Sequence, residues 1–119
     1  MNRVTVLVAL SVLFSAARAQ QLPASMSSLP VAVRSALLAL CAPCQFADYD
    51  AAWNPTDVLT ARPQRHLTRV VHTGSSWLIE YDHGGLGTHK HIVIFVLEPT
   101  IHIGAGSSCD SMSRRVCEW

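Results

Sequence analysis

The sequence predicts an α+β fold: one N-terminal helix packed on a mostly antiparallel sheet of about four strands, stapled by disulfides. Three observations carry this. Residues 65–103 alternate between strand-forming runs and glycine-rich or proline-bearing breaks. A single Ala- and Leu-rich stretch precedes them with apolar residues at helical spacing. Four cysteines follow an N-terminal stretch that reads as an export signal.

The strands come first because the rest of the chain is arranged on them. Arg65–Thr73 mixes β-branched and apolar residues suited to a pleated surface, and Thr73-Gly-Ser-Ser76 makes a turn. Ser76–His83 then places Trp77, Ile79 and Tyr81 on one face, with Glu80 and Asp82 on the other. Gly84-Gly-Leu-Gly-Thr88 forms the next turn. His89–Leu97 is apolar on both faces from Ile92 onward, which predicts a strand covered on both sides. Glu98-Pro99 ends it, and Thr100–Ile103 makes a short last strand.

The chain starts with a short basic segment, Met1-Asn-Arg3, then an apolar run from Val4 to Phe14 and a small-x-small site at Ala17-Arg-Ala19. This three-part pattern predicts a signal peptide over residues 1–19, cleaved near Ala19, and a secreted or periplasmic protein. The apolar run is too short to span a bilayer, so no membrane anchor is expected. Residues 20–28 read as a flexible lead-in, and residues 29–119 as a single small domain. Ser27 or Ser28 caps the helix, with Pro30 in its first turn; Val33, Leu37, Leu40 and Cys44 face the sheet, and Pro43 stops the helix. One helix laid across such a sheet resembles cystatin-type domains in general arrangement, a likeness of fold alone. The full chain of 119 residues carries a formal charge of +1, which becomes −1 when Arg3 and Arg18 leave with the signal. So neutral a surface excludes nucleic acid as a partner.

An even cysteine count behind a signal predicts disulfides among Cys41, Cys44, Cys109 and Cys117. Three pairings are open, and a bond from the helix end to the tail would close a long loop. Cys41-Ala-Pro-Cys44 also has the form of a thiol-redox motif, but it stands at the end of a helix, where the dipole raises a thiol pKa instead of lowering it.

Six histidines is a large number for this length. His89 and His91 share a strand face and His83 stands across the turn, so these three are candidate ligands for Zn²⁺ or Cu²⁺. His66, His72 and His102 read as solvent-facing. The aromatic segment Phe46–Trp53 offers Tyr49, flanked by Asp48 and Asp50, as a contact for another protein, while Phe46 and Trp53 are expected to close the core. Val58 and Leu59 form a short strand or bridge in this reading.

Catalytic motifs fail on inspection. His83-Gly-Gly-Leu-Gly87 resembles an oxyanion loop, but the chain has no G-x-S-x-G elbow. Gly85–Lys90 lacks the Gly-Lys-Ser/Thr of a phosphate loop. Asp48-Tyr-Asp50 opens like a calcium loop, yet Trp53 stands where glycine is required. The expectation is a non-catalytic binding protein without a cofactor, in the manner of an inhibitor or immunity-type partner. The alternatives are metal binding through His83, His89 and His91, or thiol redox through Cys41 and Cys44.

Overall fold

A computed structural model describes residues 17–107. The elements run β1 (Gln20–Leu22), a 3₁₀ turn (Met26–Ser28), α1 (Val31–Ala39), β2 (Phe46–Ala47), β3 (Arg65–Thr73), β4 (Ser76–His83), β5 (His89–Val96) and β6 (His102–Ile103). The class is α+β, as expected, with one α-helix and a mostly antiparallel sheet. The sheet has six strands in place of about four. Its order is β1-β3-β4-β5-β6, and β2 pairs in parallel with the start of β3.

Both additional strands lie in segments read otherwise from sequence. Gln20–Leu22, expected within a flexible lead-in, pairs antiparallel with Val70–His72. Polar contacts hold the segment after β1: the Met26 amide donates to Asp48 Oδ1 at 2.8 Å, and the Tyr49 amide donates to the Ala24 carbonyl at 2.9 Å. Ser27 and Ser28 do not cap α1. They lie inside the 3₁₀ turn, which Ser25 caps by accepting from the Ser27 amide. Pro30 precedes α1 without a side-chain cap, and its fixed φ of −55° leads the chain into the helix.

The helix places Val33, Leu37 and Leu40 in the core, together with Leu29. Cys44 is beyond the helix, partly buried against the core. The inner face of the sheet is built from directly opposed rows: Leu67, Tyr81 and His91; Val70, Ile79 and Val93; His72, Trp77, Phe95 and Ile103. A register shift between Leu67 and Arg69 inserts Thr68 as a bulge, so that Leu67 and Val70 both face the core although three positions apart.

The outer face corrects one expectation. Val93 and Phe95 are fully buried, but Ile92, Ile94 and Val96 are only half-buried, because α1 covers one side of the sheet. Part of the other side is roofed by the turn after β6, where a Cβ on Gly104 would stand 3.0 Å from Ile94 Cγ2. Away from it the outer face is charged: Lys90 Nζ bridges Glu80 at 2.9 Å and Asp82 at 3.3 Å, and Arg69 approaches Glu80 at 3.8 Å.

Other departures are local. Val58 and Leu59 are exposed loop residues, not a strand. Phe46 is in the core, edge-on to Tyr81 at 5.0 Å, as expected. Trp53 is not; it stacks on His66. His72 is not simply solvent-facing, since its ring lies 4.3 Å from Trp77 and nearly parallel to it. Cys41 and Cys44 form a disulfide with each other. Cys109, Cys117 and Trp119 lie outside the described residues, as does most of the expected signal peptide. No helix among the described residues is long and apolar enough to cross a membrane.

Candidate metal centre

The β4–β5 hairpin brings its three histidines together. His83 and His89 are directly opposed across the ladder, and His91, two residues further along β5, returns to the same face. Ring centroids stand 5.2 Å apart for His83–His89, 5.9 Å for His83–His91 and 4.8 Å for His89–His91. One nitrogen from each ring can be chosen so that all three lie within 4.8 Å of one another. A tetrahedral Zn²⁺ with bonds of about 2.0–2.1 Å needs its nitrogens about 3.4 Å apart. Small ring rotations close that gap, and the exposed His89 has the room to make one.

The surroundings prepare these rings as ligands. His89 Nδ1 lies 3.1 Å from the Gly87 carbonyl oxygen. A carbonyl only accepts, so Nδ1 carries the proton and Nε2 is left with its lone pair free for a metal. The turn depends on glycine here: Gly87 has φ 109°, which a side chain would strain. His91 is buried and lies flat on Tyr81, with centroids 5.1 Å apart and 22° between planes, and Phe46 backs Tyr81 from the core. The triad thus grades from a buried, packed ring to an exposed one at the mouth.

A second device holds the hairpin turn. Asn54, itself buried, ties the loop 54–64 into a knot. Its Nδ2 donates to the Val58 carbonyl at 2.6 Å, and its Oδ1 accepts from the Thr56 amide and hydroxyl at 3.0 and 2.7 Å. That loop docks on the turn, where the Gly84 amide donates to the Gln64 carbonyl at 2.8 Å and the Gly85 amide to the Pro55 carbonyl at 3.2 Å.

The charges around the site leave three neutral imidazoles as its ligands, with a cationic side chain as their neighbour. Glu80 and Asp82 are on the opposite face, engaged with Lys90. Arg65, buried, is the direct neighbour of His83 on β3. Among the described residues no carboxylate joins the three imidazoles, so the fourth ligand to an ion here would be water or an added anion.

The other sequence-derived candidates fare differently. Asp48 is occupied in holding the Met26 amide. Tyr49 is 64% exposed, stacks loosely on His66 at 5.8 Å, and forms with Asp48 and Asp50 one wall of an open groove along residues 21–28. Sequence reasoning missed Tyr81, Asn54 and Arg65. The Tyr81 alternation was visible, but its pairing with His91 requires the hairpin register. The chain matches no known protein family, and no curated protein or solved structure matches it either, so the cystatin-like comparison has no structural counterpart to rest on.

Proposed function

We propose that this is a small non-catalytic metal-binding protein that holds a borderline ion, Zn²⁺ or Cu²⁺, with His83, His89 and His91. The observation that carries the reading is the convergence of the three imidazoles within 4.8 Å, with the tautomer of His89 set by Gly87. Imidazole suits both ions, and three such ligands leave one position for an exchangeable group. An open mouth at His89 supports reversible loading over a purely structural role, since the core is complete without the ion. Export is part of the reading. β1 begins at Gln20, so removal of residues 1–19 would spare every described element.

The test is calorimetric titration of the purified, chelator-stripped protein with Zn²⁺ and Cu²⁺. One equivalent should bind, and His89→Ala, at an exposed position, should weaken binding at least tenfold. Absence of saturable binding, or equal binding by the variant, would overturn the reading.

A second reading, a docking surface for another protein, is favoured by Tyr49. Its ring is exposed over a groove of about 670 Å³ while its backbone is fixed by the Ala24 carbonyl. Rigid, exposed aromatics of this kind anchor interfaces. Retention of a native partner by the protein, lost in Tyr49→Ala, would support it; equal retention would remove it.

A further inference from the structure

The Cys41–Cys44 disulfide is not used by the metal site, and its two sulfurs stand in opposite electrostatic settings. Cys41 follows the C-terminus of α1: its amide donates to the Leu38 carbonyl at 3.4 Å, and its Sγ lies 4.0 Å from that same oxygen. The carbonyl-rich end of a helix disfavours a thiolate. Cys44 is three residues beyond, outside that field. It lines an open groove of about 370 Å³ with Gln45, Thr60, Arg62, Gln64 and Arg65, and no carboxylate among the described residues lines that groove. The exposed Arg62 and the amide-bearing Gln45 and Gln64, with no opposing carboxylate in the lining, make the wall electropositive, and an arginine neighbour lowers a thiol pKa. The objection that this motif stands at the wrong end of a helix therefore applies to Cys41 and not to Cys44.

We propose that Cys41 and Cys44 form a thiol–disulfide exchange pair in which Cys44 attacks, Cys41 resolves, and the substrate is a low-molecular-weight disulfide bearing carboxylates. The reduced pair acts in two steps. The Cys44 thiolate attacks one substrate sulfur, the substrate S–S bond breaks, one substrate thiolate departs, and a mixed disulfide remains on Cys44. Cys41 then gives its proton to solvent and attacks the Cys44 sulfur. The mixed disulfide breaks, the second substrate thiolate departs, and the Cys41–Cys44 bond seen here forms. Two electrons pass from the protein to the substrate. Two equivalents of a small thiol, themselves oxidised to a disulfide, return the protein to its dithiol. The small, basic groove selects the substrate: it takes a carboxylate-bearing disulfide and repels a cationic one.

The whole protein is reduced, freed of reductant, and alkylated with iodoacetamide across a pH series. Cys41 and Cys44 share the tryptic peptide 35–65, because the Arg62–Pro63 bond resists trypsin, and no other cysteine falls within it, so fragment ions separate the two sites from each other and from Cys109 and Cys117. Near neutral pH, Cys44 should react about tenfold faster than Cys41. Arg62 is exposed, so Arg62→Gln should fold normally and should raise the midpoint of Cys44 alkylation by roughly half a pH unit. Reduced protein should consume glutathione disulfide several-fold faster than cystamine, whose amines reverse the substrate charge, and Arg62→Gln should narrow that preference. Cys41 reacting as fast as Cys44, an unmoved Cys44 midpoint in Arg62→Gln, or equal consumption of the two disulfides would each overturn the assignment.

Discussion

Tyr81 and His91 stand directly opposite one another on β4 and β5, and their rings lie flat together at 5.1 Å. This contact sets where the buried ligand of the candidate metal centre points. Groups that orient a metal-binding imidazole typically matter by 10–100-fold in affinity. Tyr81→Leu should therefore weaken Zn²⁺ binding about tenfold while His83 and His89 remain in place. Calorimetry on the folded variant checks this; an unchanged affinity would show that His91 orients without the stack.

The two faces of β5 differ in cover, and stability should differ with them. Phe95 is fully buried beneath α1, whereas Ile94 on the opposite face is half-buried. Phe95→Ala should cost about 3–5 kcal/mol. Ile94→Ala should cost nearer 1–2 kcal/mol, because less surface leaves water there. Urea unfolding of the two variants side by side decides it, and equal costs would mean that the outer face is covered as fully as the inner.

Periodicity made part of this fold legible in the sequence, and the need for pairing partners hid the rest. The alternation of Trp77, Ile79 and Tyr81 against Glu80 and Asp82 is a local property, and the sheet reproduces it. The proximity of His83, His89 and His91 was legible for the same reason, since the short turn 84–88 leaves the strands few registers. β1 and β2 were hidden because three-residue and two-residue strands carry no period of their own. They exist because β3 offers them an edge and because Asp48 ties down the Met26 amide. Ile92–Val96 misled because an all-apolar run indicates burial on both faces, and only the helix's side of the sheet is fully covered. The basic groove beside Cys44 could not be read at all, since Arg62 reaches it through the fold of the loop 54–64.

Gly84 should be intolerant of any side chain. A Cβ there would collide with the Asn54 carbonyl oxygen and stand 2.7–2.8 Å from the backbone of Pro55. The backbone on both sides is held by hydrogen bonds, so the loop would have to lift off the hairpin turn. Gly84→Ala should cost about 1–3 kcal/mol and should also lower metal affinity, because the displaced turn carries His83 and His89. Gly85→Ala meets no atom within 4 Å at its Cβ, although its φ of 156° strains any side chain there; it should cost stability without lifting the loop off the turn. Thermal unfolding and zinc titration of the pair separate a steric effect from a general loss of turn flexibility.

Lys90 should impose a weak alkaline limit on stability. Its hydrogen bond to Glu80 is the main cause of a pKa raised above the ordinary lysine value of 10.5; burial opposes the rise, and the hydrogen bond to Asp82 adds to it. A pKa raised in the folded state gives stability that is fully present below the unfolded value and is lost as pH rises through the folded one. The lysine is about half exposed, so solvent screening holds the contribution under about 1 kcal/mol. Lys90→Met should therefore cost little at neutral pH and should flatten the fall in stability above the unfolded lysine pKa. A variant whose alkaline limb matched the parent's would place that limb elsewhere.

The disulfide's contribution depends on its partner assignment, and the magnitude distinguishes the alternatives. Cys41 and Cys44 are three residues apart, so their bond closes a very short loop. In the chain-entropy account such a closure restrains the unfolded chain by only about 2 kcal/mol. A bond from either cysteine to Cys109 or Cys117 would instead close a loop of roughly 70 residues and contribute about 4.5 kcal/mol. The double variant Cys41→Ala, Cys44→Ala should thus lose about 2 kcal/mol in urea unfolding. A loss above about 4 kcal/mol would fit a long-loop closure instead and would overturn the Cys41–Cys44 exchange pair.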